Sequence, residues 1–546
     1  MNILFMTSAA PEKAGFSTSE KRPPLGVGFL MAILKKEGHK IFFSDEYLSP
    51  TNILDTDFLV KQAIDFVCIY SNTICYQSTL KMFEKIQSQR EQKKWNGKIA
   101  VGGPHTSIGY SEIPEYVDYI VIGEGEISLP KIINGEITAR IVYGEKVENL
   151  DLLPMPAWEE FIYRNYCWSD QWLDAYPVYT MNTSRGCPFE CTFCSVKSIW
   201  GQTYRSMSPE RVVDDILFMK KFYGAKGIFF REDHFTLNKN RTVDFCELMI
   251  KKNVNIDWIC ETRADQLNDY AYQKLMADAG CKAFYIGVES GSPQMLKMFK
   301  KGETVEQFIE AFDVSKKVGI KTYASFVVGV PYETDEDRLL TDKFIERIKP
   351  DFIGKNVFVG IPGSSLVDQI KKDNLYEYED ENHILYPVNF LRNVYKYYGD
   401  NDYFKVYEKH KNEVKKIIFD SEIVFTNDLS LSRLSAAKID ENIIEMEFQF
   451  IVNGKIPKDY TIYFHGSVED SDVRYLPDDR KIYGFENWDF RPKQPMSEWK
   501  YGAFSVSKNI FITVSSYFLR MGLFDSEKNE TVGDSAILGF VDLSNI

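Results

Sequence analysis

The sequence is poor in cysteine and histidine, and it has no long apolar run. Its 546 residues include nine cysteines and six histidines. Nine cysteines are too few for a disulfide scaffold, which is typical of small secreted domains. No run reaches the 18 or so apolar residues that a membrane-spanning helix needs, and the first residues lack the pattern of a signal peptide. We therefore expect a soluble, multidomain cytoplasmic protein that does not bind membranes.

Positive charge is also in deficit. The chain has 65 Lys and Arg against 79 Asp and Glu, which gives a formal net charge of −14. Phosphate contacts need a basic face, so this balance argues against a nucleic-acid-binding protein. Hydrophobic residues at 44% and aromatic residues at 14% suffice for several buried cores, which excludes disorder as the main state. Composition alone indicates no activity.

The apolar pattern divides the chain into five segments and predicts an α/β fold. In residues 1–145, five short apolar strands alternate with amphipathic helices, which predicts a parallel, Rossmann-like sheet of flavodoxin type. A linker covers 146–179, and six further βα units over 180–375 predict a partial (β/α)6 barrel. We expect a helical connector at 376–420. Alternating segments between turn clusters in 421–546 predict an antiparallel, β-sandwich-like accessory domain.

Three of the cysteines stand together in the sequence. Cys187, Cys191 and Cys194 lie in SRGCPFECTFCS, directly after a predicted strand. Three thiolates on one loop can bind three irons of a 4Fe–4S cluster and leave the fourth iron open to another ligand. A closed zinc site needs a fourth Cys or His, and His234 on a distant strand remains an alternative source. The other six cysteines are expected to pack as small hydrophobic side chains.

This motif and its surroundings resemble a known family. The segments CPFECTFC, GIFFREDHFTLN, DWICETRADQL, AGCKAFYIGVESGS and GIKTYASFVVGVPYET are similar to successive strands and loops of the radical S-adenosylmethionine (radical SAM) superfamily. The earlier segments RPPLGVGFLMAILKKEGHKI, VGGPHTS and DYIVIGEGEISLP are similar to the cobalamin-binding domain that precedes the barrel in one subfamily. The resemblance extends over residues 1–370 and does not include the C-terminal third.

The resemblance implies roles for residues of the barrel. The three cysteines would bind the cluster, SAM would bind its open iron, and Phe193 would lie against the adenine unless it is a core aromatic. Arg263 is a candidate for the SAM carboxylate, because its planar guanidinium suits oxyanions. Glu289 would accept hydrogen bonds from the ribose hydroxyls of SAM. Asp233 or its neighbour Glu232 would pair with the ammonium group of SAM. For these three carboxylates the alternative is a solvated or ion-paired position on the rim.

The resemblance also implies that cobalamin binds at the strand ends of the first domain. The D-x-H-x-x-G motif that places a histidine on cobalt is absent, since the residue two before His105 is Gly103. We therefore predict cobalamin without a histidine on its lower face. Arg205 would position the cluster loop or a cofactor phosphate, or else be a surface arginine. The residues expected around the corrin or its nucleotide tail are Ser8, Ser71, Asn72, Gly102, Gly103, His105, Gly123, Glu124 and Gly125.

The activity implied by the family is that of a cobalamin-dependent radical SAM methyltransferase. One SAM would methylate cobalamin, another would yield a 5′-deoxyadenosyl radical that removes hydrogen from an unactivated carbon, and methylcobalamin would supply the methyl group. Electrons would come from a flavodoxin or ferredoxin type donor. Two alternatives stay open: a cobalamin-dependent cyclase or rearrangement enzyme without methyl transfer, and a non-catalytic iron–sulfur or cobalamin sensor. A methylthiotransferase is disfavoured, because only Cys68 and Cys75 precede residue 150.

The C-terminal segment carries a weaker signal. Its residues from Trp499 to Leu543 weakly resemble β-sandwich segments of carbohydrate-active enzymes. A small-molecule or glycan-linked substrate is the resulting expectation. Trp488, Trp499 and Tyr501 are candidates for stacking on a sugar ring, although core packing is the commoner use of such aromatics.

Overall fold

The structure is a computed structural model in which the chain divides into two compact units, Met1–Phe390 and Leu391–Ile546. We describe each unit by itself. Among the residues that the structure describes, no helix is long and apolar enough to cross a membrane. The described residues are 1–9, 21–49, 51–164, 166–170, 172–390, 393, 397, 416–419, 423–426, 428–440, 443–467, 486–487, 491–492, 496–499, 502–511, 516–525, 528 and 530–542.

The first unit begins with a parallel sheet in the order β2-β1-β3-β4-β5-β6. The five predicted strands are confirmed, and the short edge strand β6 is an addition. With three residues, of which only Val142 is buried, β6 is too short to give a periodic signal. The elements are β1 Asn2–Thr7, α1 Leu25–Lys36, β2 Lys40–Asp45, α2 Phe58–Lys61, β3 Phe66–Tyr70, α3 Tyr76–Glu91, β4 Lys98–Gly102, α4 Pro104–Gly109, β5 Tyr119–Ile122, α5 Ser128–Ile133 and β6 Ile141–Tyr143.

The second sheet of this unit has the order β14-β13-β12-β11-β10-β7, and all its strand pairs are parallel. This is the predicted six-stranded partial barrel. Its elements are β7 Val178–Met181, β8 Ser184–Arg185, α6 Val196–Trp200, β9 Arg205–Ser206, α7 Pro209–Phe222, β10 Gly227–Phe230, α8 Lys239–Lys251, β11 Asp257–Thr262, α9 Tyr270–Asp278, β12 Cys281–Glu289, α10 Pro293–Met298, α11 Val305–Val318, β13 Lys321–Val328, α12 Asp335–Ile348, β14 Phe352–Val357 and α13 Ser365–Lys372.

Local sequence signals explain why the barrel helices begin where they do. The side chain of Ser208 accepts a hydrogen bond from the backbone N–H of Arg211, and Pro209 fills the first position of α7. Thr304 and Gln307 form a reciprocal capping box at the start of α11. Such caps satisfy N–H groups that would otherwise lack a partner at the helix start. Each helix therefore returns the chain to the same end of the sheet, and the strand ends gather at one edge.

The predicted helical connector at 376–420 needs a correction at both ends. An antiparallel pair, β15 Tyr376–Glu379 and β16 Leu385–Pro387, occupies its start, and β17 Lys416–Phe419 occupies its end. Tyr378 stacks on Tyr386 across the pair at 4.6 Å. Aromatic cross-strand pairs of this kind favour a hairpin over a helix. Most of the segment between the hairpin and β17 lies outside the described residues.

The described residues of the second unit form two antiparallel sheets, as predicted. One has the order β17-β19-β20-β23, with β18 on β19, and the other has the order β22-β21-β24-β25. Side chains of both sheets share one core, in which the rings of Phe448 and Phe464 lie 5.2 Å apart. The remaining strands are β18 Ile423–Thr426, β19 Leu429–Asp440, β20 Ile443–Val452, β21 Thr461–Ser467, β22 Glu486–Asn487, β23 Gly502–Phe511, β24 Ser516–Asp525 and β25 Glu530–Asp542.

One proposed sugar-stacking residue can be placed in this unit. Trp499 is buried in the shared core, 5.6 Å from the ring of Phe450. A buried ring has no free face for a ligand, so Trp499 serves packing. Trp488 and Tyr501 lie outside the described residues.

Candidate functional site

The three clustered cysteines lie on the loop between β8 and α6, at the mouth of the barrel. All three are partly exposed, and none is in a disulfide. The sulfurs of Cys187 and Cys194 accept hydrogen bonds from the backbone N–H groups of Phe189 and Val196, while burial raises the pKa of both thiols, that of Cys194 to about 11. Burial thus disfavours the thiolate form of both cysteines, which a positively charged iron would stabilise.

The donor set suits a cluster better than a single ion. No three His, Cys, Asp or Glu side chains of the described part converge as one metal ion would require. In a 4Fe–4S cluster each thiolate binds a different iron, so the three sulfurs surround a larger body. His234, the alternative zinc ligand, is fully buried, and burial lowers its pKa to about 3. The three cysteines on one partly exposed loop fit the cluster that the motif predicts.

Two aromatic side chains anchor this loop on the barrel. The guanidinium of Arg263 lies over the ring of Phe189, 3.8 Å from its centroid. Phe193 packs edge-on against Phe299 at 5.3 Å, and the N–H of Thr192 donates to the carbonyl of Phe299. Phe193 is thus part of a hydrophobic cluster on one side, and only its remaining surface is available to an adenine.

Below the loop lies a network of five charged side chains, of which all but Asp265 are buried. Lys301 Nζ is 3.2 Å from Glu289 and 3.4 Å from Glu303, and Arg263 is 3.4 Å from Glu303 and 3.1 Å from Asp265. Burial lowers the pKa of Lys301, but Glu289 and Glu303 outweigh burial and raise it. The lysine therefore stays charged although only 5% of its surface is exposed. Arg263 and Glu289, two predicted SAM contacts, are members of this network.

Sequence reasoning missed Lys301 and Glu303. They flank Gly302 in the segment KGET, just before the capping box of α11. Glu289 adopts a φ of +69° beside a register shift in β12, which turns its carboxylate toward Lys301. A non-glycine residue in this region of φ is strained, and such strain is held by the surrounding structure at functional sites.

The two acidic residues after β10 have different surroundings. Glu232 is buried and accepts hydrogen bonds from the hydroxyls of Thr183 and Ser184, so it orders the start of the cluster loop. Asp233 keeps an exposed surface and accepts one hydrogen bond, from the N–H of Gly186 at 3.2 Å. Partial burial of the carboxylate raises its pKa to about 6, the negative charge of Glu232 adds a smaller rise, and the hydrogen bond from Gly186 opposes both. Of the two candidates for the SAM ammonium, Asp233 is the accessible one.

A cavity of about 480 Å³ lies between the carboxyl ends of the first sheet and the mouth of the barrel. Gly103 adopts a φ of +114°, and a Cβ there would lie 2.4 Å from the carbonyl oxygen of Ser71, so this close turn requires glycine. Gly123 also has a positive φ, of +83°, and a Cβ there would meet nothing within 4 Å, so the space beside this glycine is open. Among the lining residues are Gly102, Gly103, Gly123, Glu124 and Gly125 from the first domain and Thr180, Asn182, Trp200 and Arg231 from the barrel.

The cavity fits the cobalamin that the first domain implies. Its wall is mostly apolar, and glycines at two successive strand ends give a flat ligand access to the backbone. Three predicted contacts do not line it. Ser8 and Ser71 are buried and hydrogen-bond to Thr79, at 2.6 and 3.0 Å, and Asn72 accepts from the N–H of Cys75 to cap a turn.

His105 also lies away from the cavity. Its ring is buried against Tyr76, with 3.9 Å between centroids, and Nδ1 is 3.3 Å from the hydroxyl of Thr73. Burial, together with His383, lowers the pKa of His105 to about 4, so the ring is neutral at pH 7. Its Nε2 is buried without a hydrogen-bond partner. The lining residues of the cavity include no histidine among those that the structure describes.

This position of His105 gives a spectroscopic prediction. We expect the electron paramagnetic resonance spectrum of the protein loaded with cob(II)alamin to show no hyperfine splitting from a histidine nitrogen. His105→Gln should leave that spectrum unchanged, because the ring packs on Tyr76 rather than facing the cavity. A nitrogen splitting that disappears in His105→Gln would contradict the prediction.

Glu124 links the first domain to the barrel. Its carboxylate is 2.8 Å from Nη1 of Arg185 and 3.1 Å from Nη1 of Arg205, and Arg185 also pairs with Glu126. Arg205 further donates to the carbonyl of Val147. Arg205 therefore contacts a carboxylate of the first domain. It lies on β9, which pairs with β8 next to the cluster loop, so the network holds that loop beside the cavity.

Comparison with known proteins agrees with this two-part site. Residues 15–133 match the family model of the B12 binding domain, and residues 181–345 match that of the radical SAM superfamily. An uncharacterized methyltransferase of Pyrococcus horikoshii is 28% identical over 393 residues, which are 68% of this chain and 81% of that protein. An anaerobic magnesium-protoporphyrin IX monomethyl ester cyclase of Rubrivivax gelatinosus is 27% identical, over 66% of this chain and 69% of its own length.

A solved structure supports the fold. The cobalamin-dependent S-adenosylmethionine radical enzyme OxsB, with aqua-cobalamin bound, aligns with a TM-score of 0.59 at 20% sequence identity. The alignment covers 71% of this chain and 64% of the OxsB chain, less than two thirds of its length. The two matched domains imply a 4Fe–4S cluster, SAM and cobalamin as cofactors. The chain belongs to the cobalamin-dependent radical SAM enzymes.

Proposed function

We propose that this enzyme transfers a methyl group from SAM, by way of cobalamin, to an unactivated carbon of a small-molecule substrate. The observation that carries the proposal is the shared cavity. Residues of the cobalamin-binding strand ends, such as Gly103 and Gly123, and residues at the barrel mouth, such as Asn182 and Arg231, line the same space. A substrate there would reach both cofactors, and holding reactants in one cavity lowers the entropic cost of their meeting.

The overall chemistry balances with two molecules of SAM and two electrons. One SAM leaves as S-adenosylhomocysteine after giving its methyl group. The other takes one electron and leaves as methionine and 5′-deoxyadenosine, which carries away the substrate hydrogen. When bound, the cluster supplies that electron and cobalamin carries the methyl group. The second electron would be needed for cobalamin to accept another methyl group, and a flavodoxin or ferredoxin type protein is the proposed donor of both electrons.

The chain's own residues prepare the site for this chemistry. The buried charges around Lys301 fix the floor beneath the cluster loop, and Glu232 fixes the start of the loop. Asp233 presents an accessible carboxylate beside the cysteines. We propose that it accepts the SAM ammonium, and that Arg263 and Glu289 contribute through the network rather than as free side chains. The Arg185–Glu124–Arg205 contacts keep the two cofactor regions together.

A half-reaction distinguishes this function from the alternatives without knowledge of the substrate. The anaerobically reconstituted full chain, with reduced cobalamin and SAM labelled at its methyl group, should form about one S-adenosylhomocysteine per chain and retain the label on cobalamin. The first half of methyl transfer needs no substrate, which is the reason for this expectation. Mass spectrometry of the quenched mixture measures both products.

The other outcomes identify the competing functions. The relative named as a cyclase makes an enzyme without methyl transfer the main alternative. Formation of 5′-deoxyadenosine without S-adenosylhomocysteine would favour that cyclase or rearrangement chemistry. Consumption of no SAM by either route would favour a sensor. The Cys191→Ala variant serves as the control for cleavage that depends on the cluster.

A further inference from the structure

The inward face of the barrel carries a polar layer that the cofactors do not account for. The outward faces of its strands are fully buried beneath the helices, as Cys260, Phe284 and Ala324 show. Their neighbours along each strand point into the barrel, because side chains alternate along a strand. Glu261 and Tyr285, which are register partners on β11 and β12, both keep partial exposure. The barrel interior is therefore an open space above the level of these residues.

An aromatic floor closes this space from below. Trp172 inserts into the barrel, and its ring lies 5.3 Å from Tyr323, 5.9 Å from Tyr285 and 6.0 Å from Phe229. The rings of Tyr285 and Tyr323 stack on each other at 4.3 Å. Only 7% of Trp172 is exposed. A substrate that enters from the cavity side can thus descend only to this floor, which limits its size.

At the level of Tyr285 and in the next layer above it, the inward side chains are polar and include both a positive and a negative charge. Arg231 Nε lies 3.9 Å from Glu261 Oε1, with 45% and 30% of the two side chains exposed. Ser325 is the centre of a second polar group, because the hydroxyl of Tyr285 donates to its Oγ at 3.4 Å and Nδ2 of Asn356 donates to it at 3.0 Å. The layer therefore offers one cation, one anion and a hydroxyl–amide pair.

Two glycines at the level of Ser325 let side chains of the protein pack over them, and the carboxylate of Glu289 lies over Gly287, 2.5 Å from where a Cβ would be. Gly287 and Gly354 are the register partners of Ser325 on either side. A Cβ on Gly354 would lie 1.6 Å from the hydroxyl oxygen of Tyr323, so the phenol occupies the space over that glycine. Arg231 also lines the cavity between the two domains. The polar layer is thus continuous with the space where cobalamin and substrate would meet.

We propose that this layer binds a compact substrate that carries both a carboxylate and an amine, and that Arg231 and Glu261 set this specificity. The inference rests on the proposed function and names its substrate class. A guanidinium suits a carboxylate because it donates two parallel hydrogen bonds, and Glu261 offers the opposite charge to an ammonium. Ser325 and Asn356 hydrogen-bond the remainder of the molecule. A large apolar ring system would displace water from these charged groups without donating or accepting hydrogen bonds in its place, which is costly.

Equilibrium dialysis tests this specificity without any turnover. The reconstituted full chain, with SAM present, is dialysed against an equimolar mixture of the free proteinogenic amino acids, and each retained compound is quantified by mass spectrometry. We expect selective retention of at least one amino acid. Arg231→Gln should weaken its binding by about 10- to 100-fold, because a charge-assisted hydrogen-bond pair is lost. Glu261→Gln should weaken it in the same direction.

A matched control is available on the surface. Arg347 pairs with Asp313 on the outer helices at 3.0 Å, and 54% of its side chain is exposed. Arg347→Gln should bind the retained amino acid as tightly as the unchanged protein does. SAM binding measured in parallel shows that each variant is folded. In steady-state assays with the retained compound, Arg231→Gln should raise KM by a larger factor than it lowers kcat.

The outcomes separate this inference from the proposed function. Retention of no amino acid, or retention that is equal in Arg231→Gln and Arg347→Gln, would overturn the inference. So would retention of protoporphyrin IX, a large planar probe with two carboxylates and no amine, that is insensitive to both Arg231→Gln and Glu261→Gln. If an amino acid binds through Arg231 and the half-reaction yields no S-adenosylhomocysteine, the inference stands and the methyltransferase proposal fails. Methylation of a substrate that carries neither a carboxylate nor an amine would support the methyltransferase proposal and overturn the inference.

Discussion

Cys191→Ala is expected to abolish SAM cleavage, lowering the rate of 5′-deoxyadenosine formation by about a thousandfold or more. Two thiolates cannot replace the three that leave one iron of the cluster open. Burial raises the pKa of the Cys191 thiol, and the positive charges of Lys301 and Arg263 oppose that rise. Burial prevails over these two cations, so a bound iron would have to stabilise the Cys191 thiolate, and a methyl group in its place could not bind that iron.

The measurement is iron and sulfide per chain after anaerobic reconstitution, followed by 5′-deoxyadenosine formation with SAM and reductant. Cys167→Ala is the matched control, because Cys167 is the one cysteine outside the triplet that is partly exposed. It lies in the connector between the domains, where its thiol donates to the carbonyl of Ser169. This control should retain the full cluster and full cleavage. Full iron content and cleavage in Cys191→Ala would show that the triplet is not the cluster site.

The sequence predicted those features of this enzyme that depend on neighbours along the chain. Spacing alone identified the three cysteines, since ligands on one loop must be close in sequence. The parallel strands were evident from apolar runs, because strands covered by helices on both faces are apolar throughout. The short strand β6 and the hairpin of β15 and β16 were missed, since a few residues give no periodicity.

Contacts between distant residues could not be predicted in the same way. Glu124 and Arg185 are 61 positions apart, and Glu289 and Lys301 are 12 apart across a helix. The resemblance to the family implied that both Glu124 and Glu289 contact a cofactor. In the structure each is paired with a buried cation, which a sequence pattern does not reveal. His105 likewise stands next to a strand end, but its helix turns the ring toward Tyr76 and away from the cavity.

Glu124→Gln is expected to lower the free energy of unfolding of the first unit by about 3–5 kcal/mol, the usual cost of removing one partner from a buried ion pair. The carboxylate is 3% exposed, and its arginine partners Arg185 and Arg205 are 10% and 9% exposed. Arg185 would keep Glu126, whereas Arg205 would have no carboxylate partner among its described contacts. Hydrogen exchange should therefore accelerate in β5, β8 and β9.

The same carboxylate makes stability depend on pH. Burial raises the pKa of Glu124, but the hydrogen bond from Arg205, the charge of Arg185 and the N–H of Val147 outweigh burial and hold the pKa below its ordinary value of 4.5. The contribution of Glu124 is therefore fully present above pH 4.5 and is lost as the pH falls through the lowered pKa. Urea unfolding of the full chain at a series of acidic pH values should show this loss. Glu124→Gln should be less sensitive over the same range.

Two comparisons decide whether the network acts as a unit between the domains. Glu145→Gln removes an exposed ion pair with Lys131 in the same domain and should cost less than about 1 kcal/mol. Arg205→Gln combined with Glu124→Gln should cost less than the sum of the two single changes by at least about 1 kcal/mol, because each single change already breaks the shared contact. Because Gly123 and Gly125 flank Glu124 in the cavity wall, cobalamin affinity should fall with Glu124→Gln and stay unchanged with Glu145→Gln. If the losses of unfolding free energy in Glu124→Gln and Arg205→Gln are additive, and cobalamin affinity is unchanged in Glu124→Gln, then Glu124 does not connect the cofactor cavity to the cluster loop.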